Sequence, residues 1–285
     1  PFGLKLPSRP LSPFEPCLRC AMSLETYWVR LRDGDENIRR DRDLILEAVR
    51  DEGVTLQFAC QELRADREVV TAAVEEDPEA IEFADEALLA DKDLLSFVVG
   101  KKGTMLEFAA ESLRGDRDVV LQAVRSDGLA LRLASEALRG DREVVLAAVA
   151  QDGDALAMAD ESVRADREIV LQAVRTNGAV LELASEELRN DREVVEAALR
   201  FDGLSLRFAG QGLREHREVV LVAVRQHGAA LEFASQALRA DRELVREAIN
   251  RTPKAIAYAL GGLQDDDELL EFVRDVRCRI QKEGR

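Results

Sequence analysis

The side chains best suited to redox or metal chemistry in this 285-residue chain are four cysteines and two histidines. Cys17 and Cys20 form a Cys-x-x-Cys pair. As a redox motif it would need a strand before it and a helix after it, but Pro7, Pro10, Pro13 and Pro16 lead into it instead. As half of a zinc site it would need two more ligands; Cys60 and Cys278 are the remaining thiols, near opposite ends of the chain. The pair is read as incidental or weakly redox-active. His216 and His227 are open to two readings: a metal or pigment ligand role, or ordinary variation at solvent-facing positions, and the second is preferred. Beyond these, the sequence holds no Gly-rich phosphate loop, no nucleophile beside a base and no metal-spaced His/Asp cluster. Catalysis is therefore not expected, and no cofactor is implied.

Composition narrows the partner classes. The net charge is −16, with 56 acidic against 40 basic residues. Such a surface repels phosphate backbones and anionic membranes, which argues against nucleic acid and leaves other proteins as the expected partners. No apolar run approaches the roughly 18 residues of a membrane span, so attachment to a membrane complex could only be peripheral. No intact secretory signal is read at the start. Few cysteines fit a reducing compartment such as cytoplasm or plastid stroma.

The element that must position every side chain is a repeat. Asp41, Asp66, Asp91, Asp116, Asp141, Asp166, Asp191, then His216, then Asp241 and Asp266 recur at a spacing of 25. Twelve residues after each comes Gly53, Pro78, Gly103, Gly128, Gly153, Gly178, Gly203, Gly228 or Pro253. Eighteen after it comes alanine: Ala59, Ala84, Ala109, Ala134, Ala159, Ala184, Ala209, Ala234 and Ala259. Nine tandem two-helix repeats over 41–265 follow from these columns.

Within a repeat the aspartate is expected to cap the first helix, its carboxylate accepting from N–H groups of the first turn and suiting the positive helix end. The structural caps are thus Asp41, Asp66, Asp91, Asp116, Asp141, Asp166, Asp191 and Asp241. Val144, Val145, Ala148 and Val149 make one apolar helical face. The glycine is expected to end that helix in a left-handed conformation, whereas Pro78 and Pro253 would open the next helix. The second helix carries apolar residues such as Leu156, Met158 and Val163, and its unvarying alanine is read as a close-packing position. Helices this short are unstable alone, so neighbours must stack into an all-α solenoid.

The phrase Leu-Arg-x-Asp-Arg-Glu-Val-Val, as at Leu138 to Val145, followed by Ala-Val and Gly-x-x-Leu-x-Phe-Ala-Ser, resembles a family of tandem helical repeats catalogued as a domain of unknown function. That family is abundant in microalgal protists and is also found in intracellular bacteria. Its module of about 50 residues would hold two of these repeats. Support is visible in the Val-Leu-Gln-Ala-Val-Arg shared by the repeats at Asp116 and Asp166, against Leu-Ala-Ala-Val-Ala at Asp141. The resemblance implies the helical fold but no catalytic residues.

The ends differ. Residues 1–22 are proline-rich, expected to be extended, and read as a leader, linker or transit remnant or as a partner-wrapping tail; Met22-Ser23 could itself be a native start. Residues 23–40, with Tyr27, Trp28 and Leu31, read as an N-terminal capping helix. Residues 266–285, with Leu269, Leu270, Phe272, Val273, Val276 and Ile280, read as a C-terminal one.

Two arginine columns run through the repeats: Arg64, Arg114, Arg139, Arg164, Arg189, Arg214 and Arg239 before the cap, and Arg67, Arg117, Arg142, Arg167, Arg192, Arg217 and Arg242 after it. With Glu86, Glu111, Glu136, Glu161 and Glu186 they are expected to stack into ladders of alternating charge, either a solvated edge or a binding stripe. A non-catalytic protein–protein interaction scaffold is the function this reading favours. The alternative is a permanent accessory subunit of a larger, possibly photosynthetic membrane, complex, and ligand or pigment binding ranks below both.

Overall fold

The structure, a computed structural model, describes residues 31–33 and 36–283. The proline-rich segment, the Cys17/Cys20 pair and most of the expected N-terminal capping helix, including Tyr27 and Trp28, lie outside the described residues. The chain divides into two compact units, Pro1–Leu89 and Ala90–Arg285. With repeats numbered from the one that starts at Asp41, repeats 1 and 2 (less Ala90) fall in the first unit and repeats 3 to 9 in the second.

Every regular element among the described residues is helical. Repeat 5 shows the plan. Asp141 accepts hydrogen bonds from the backbone N–H of Glu143 and Val144 and opens a ten-residue α-helix, Arg142–Gln151. Val144, Val145, Ala148 and Val149 are fully buried on one face of it. Asp152, in extended conformation, ends the helix and starts a 3-10 helix, Gly153–Met158, that buries Ala155 and Leu156. Burying each Val or Leu stabilises the stack by about 1.5–3 kcal/mol, so these columns dominate its energetics.

Within each unit, successive ten-residue helices lie side by side, as Arg42–Asp51 and Arg67–Glu76 do in the first, and Arg142–Gln151 and Arg167–Thr176 in the second. The 3-10 helices form a second row, Gly53–Phe58 packing on Pro78–Phe83 and Gly128–Leu133 on Gly153–Met158. Each unit is therefore α-solenoid, built of repeating helix pairs.

The second member of each pair is divided. After the 3-10 helix the chain extends for two residues and then makes a single turn, such as the α-turn Glu136–Arg139 or, in repeat 5, the 3-10 turn Val163–Ala165. The break has a non-local cause. The N–H two residues past the 3-10 helix donates to a carbonyl of the preceding repeat or, in repeat 1, of the segment before it: Cys60 to Arg39 (3.0 Å) and Asp85 to Arg64 (3.0 Å) in the first unit, Asp160 to Arg139 (3.0 Å) and Ser235 to Arg214 (3.0 Å) in the second. A donor used between repeats cannot also continue a helix.

The glycine column does not end helices in the left-handed conformation expected of it. Among the described residues the only positive-φ glycines are Gly261 and Gly262. Gly153 is instead the first residue of its 3-10 helix, and a Cβ there would lie 2.5 Å from the Ala173 carbonyl oxygen of the next repeat. Gly53, Gly103, Gly178, Gly203 and Gly228 meet the corresponding carbonyl the same way. The column is glycine because two backbones approach too closely for a side chain. Pro78 and Pro253 open their 3-10 helices.

The chain's last described helix, Asp267–Glu283, buries Leu269, Val273 and Val276 and leaves Ile280 exposed.

Candidate functional site

The capping aspartates hold two partners at once. In repeat 6 the Asp166 Oδ1 accepts from the N–H groups of Glu168 (2.9 Å) and Ile169 (3.2 Å), while Oδ2 accepts from Arg142 Nε of the preceding repeat (2.8 Å). The same Arg142 also binds Glu168. This clamp recurs in the second unit from Lys92 to Asp116 and Asp118, Arg117 to Asp141 and Glu143, Arg167 to Asp191 and Glu193, and Arg242 to Asp266 and Glu268. In the first unit it runs from Arg42 to Asp66 and Glu68. Asp41 and Asp91 cap through Leu44 and Leu94. Asp241 caps through Leu244 and takes Arg217 at 3.0 Å.

The electrostatics follow. The bonds from Arg167 and Arg42 hold the carboxyls of Asp191 and Asp66 below the usual range, and Lys92 does so for Asp116. At Asp141 the Val144 N–H is the larger cause. At Asp166 and Asp241 partial burial pushes upward, but the basic partner and the capping N–H groups together outweigh it. These ion pairs are half exposed and individually weak. Their regularity sets register along the stack more than it adds stability.

The ladder thus differs from the one expected. It joins Arg142-type residues to the caps and to the acidic residues two places later, not to the Glu86–Glu186 column, and the Arg139-type residues stand outside it. Those arginines lie across the junction with the following repeat. Their Nε atoms at Arg64, Arg114, Arg139, Arg189 and Arg214 are buried without a hydrogen-bond partner. Arg164 turns back to the carbonyls of Ala157 and Ala159, and Arg239 reaches the Tyr258 carbonyl at 2.8 Å. Gln264, at the same place in repeat 9, donates to the carbonyls of Ala257 and Ala259.

Repeat 8 breaks the clamp. His216 occupies the cap position and makes no capping bond. Arg192, deprived of an aspartate, turns to its own helix's Glu196 (2.6 Å) and to Glu218 (2.9 Å). Glu196 stands where most repeats carry leucine, and the two departures compensate each other. His227 caps the other end of the same ten-residue helix, Arg217–Gln226, and lies 3.9 Å from the Asp202 carboxylate. The two histidines are therefore about 15 Å apart and do not share a site.

A second capping column went unread in the sequence. Asp77, Asp127, Asp152, Asn177 and Asp202 accept from the N–H two residues on and so cap the 3-10 helices. The alanine column lies at the break after each 3-10 helix; all nine alanines are buried except Ala84, which is half-buried. Among the described residues no three His, Cys, Asp or Glu side chains converge to hold a metal, and no helix is long and apolar enough to cross a membrane.

Comparison with known proteins found no match among curated proteins or among solved structures. One family profile matches repeatedly, at residues 41–89, 91–139, 116–164, 141–189, 166–214 and 216–264. Successive matches between 91 and 214 start one 25-residue repeat apart, so a single repeat serves as either half of the two-repeat module. The chain belongs to the family described as Domain of unknown function (DUF4116).

Proposed function

We propose that the chain is a non-catalytic protein–protein interaction scaffold. The observation that carries this reading is how the recurrent polar residues are used. Caps, clamps and close-approach glycines all serve junctions between repeats, whereas five of the arginines before the caps, Arg64, Arg114, Arg139, Arg189 and Arg214, keep a buried Nε without an acceptor. A stack of short repeats presents an extended surface of that kind to another protein. Among the described residues carboxylates recur by repeat logic instead of gathering around one centre, which supports the non-catalytic reading.

A permanently assembled accessory subunit is the second reading, favoured by one observation. Phe201 is 55% exposed at a position that is polar in the other repeats, as a side chain covered by a fixed neighbour would be. Purification of the tagged chain from its source under native conditions, with mass spectrometry of what accompanies it, tests both. Reversible, salt-sensitive partners support the scaffold, and fixed stoichiometry supports the subunit. A chain that runs alone at every concentration and salt tested sinks both readings.

A further inference from the structure

At the junction of repeats 7 and 8 the arginine outside the ladder sits in a different electrostatic setting from its equivalents. Arg214 borders an open depression of about 790 Å³ whose wall includes Phe233, Ala234, Ser235 and Gln236 of the following repeat. The corresponding depression at Arg139 is about 300 Å³ and is rimmed by Glu136, Asp160 and Glu161. Its Asp160 carboxylate is drawn below its usual range chiefly by hydrogen bonds from Ser162, with smaller attraction from Arg164 and Arg139. Around Arg214 those three acidic positions are Gln211, Ser235 and Gln236. The one carboxylate left on the rim, Glu215, accepts from the Gln211 amide at 2.9 Å. Arg214 Nε is buried with no partner.

Two independent observations therefore coincide: an orphaned guanidinium donor, and the loss of neighbouring carboxylates in three columns at that junction. A buried donor without an acceptor is unfavourable, and an ionised acceptor is the strongest relief for it. At Arg164, Arg239 and Gln264 the side chain at this position does take acceptor oxygens, from backbone carbonyls. The floor, with Phe233 half-buried, suits apolar side chains beside the carboxylate.

We propose that the Arg214 depression is a docking subsite for a carboxylate on an extended, acidic segment of a partner protein; this rests on the scaffold reading. Repeats stacked about 8–10 Å apart are matched by an extended chain at about 3.3 Å per residue. Acidic residues three positions apart would therefore reach Arg214 and Arg189 together.

The test is fluorescence anisotropy on the full chain with a labelled synthetic peptide bearing Glu at every third position between Ala and Val, and with its Gln counterpart. The Glu peptide binds at least about tenfold more tightly, Arg214→Gln removes that preference, and Arg139→Gln changes it less. Glu215→Ala, which installs the residue found at this place in repeats 1, 2, 5 and 8, tightens the Glu peptide about threefold or more, and it decides the matter if Arg214→Gln fails to fold. Equal binding of the two peptides, or an affinity indifferent to both substitutions, overturns the proposal. So does free glutamate competing as strongly as the peptide, which would make the depression a small-molecule site. If native partners are found but cross-link only to the ten-residue helices, the scaffold stands and this subsite falls.

Discussion

Arg139 and Arg142 stand three residues apart, on either side of the boundary between repeats 4 and 5, yet one is consumed by ion pairs between repeats and the other is not. Arg142 spends its guanidinium on Asp166 and Glu168 of the next repeat. Arg139 lies over the preceding junction with its Nε unsatisfied. The difference is positional: the first turn of a capped helix gathers carboxylates along one edge, and the break after the 3-10 helix turns carbonyl oxygens and N–H groups inward. Identical residues at identical periodicity thus serve assembly on one edge and remain available on the other.

The most severe disruption of the stack is expected at the glycine that brings neighbouring repeats together. Gly153→Ala forces a Cβ to 2.5 Å from both the Ala173 carbonyl oxygen and the Thr176 hydroxyl, so it should cost about 2–3 kcal/mol of stability in urea denaturation. Gly212→Ala, with nothing within 4 Å, should be neutral or stabilising by up to about 1 kcal/mol. Equal effects at the two glycines would refute close approach as the reason for the column.

The clamped edge comes next. Asp166→Ala removes a cap and an interhelical acceptor together, and should cost about 1–2 kcal/mol. The reverse change sharpens the point: His216→Asp should restore a cap and draw Arg192 away from Glu196, a gain of about 1 kcal/mol. The sign of its pH dependence is fixed. Clamped aspartates are held below their usual pKa, so their contribution is complete above the ordinary aspartate range near 4 and fades as pH falls through the lowered folded value. The advantage of His216→Asp over the parent should therefore be full at pH 7 and lost in acid melts. A gain that persists undiminished at pH 2 would contradict the clamp.

Much of this was legible in the sequence, for physical reasons. Caps, apolar faces and 25-residue spacing are local or periodic features, so Asp141, Val144 and Leu156 could be placed from residue type alone. What could not be placed depends on contacts between repeats. The glycine's purpose needs the Ala173 carbonyl in position, and the divided second helix needs the bond from Asp160 N–H to Arg139 O. The two arginine columns look equivalent until one is seen to be paired. A signal was available: each Arg142-type residue precedes an Asp by 24 and an acidic residue by 26, and the one missing Asp, at 216, coincides with Glu196 one repeat earlier. Of the candidate site, only the arginine column itself was visible; the neutral surroundings of Arg214 gain meaning from the depression they share.

On the proposed scaffold function, assembly and partner binding fall to separate arginine columns. The most direct test of that division compares two fourfold variants, Arg114, Arg139, Arg189 and Arg214 to Gln, and Arg117, Arg142, Arg167 and Arg217 to Gln, for melting temperature and for partners retained in native purification. The first set should melt within about 2 °C of the parent and lose partners, whereas the second should melt lower but keep them while folded. A first set that melts as low as the second, or that keeps every partner, would contradict it.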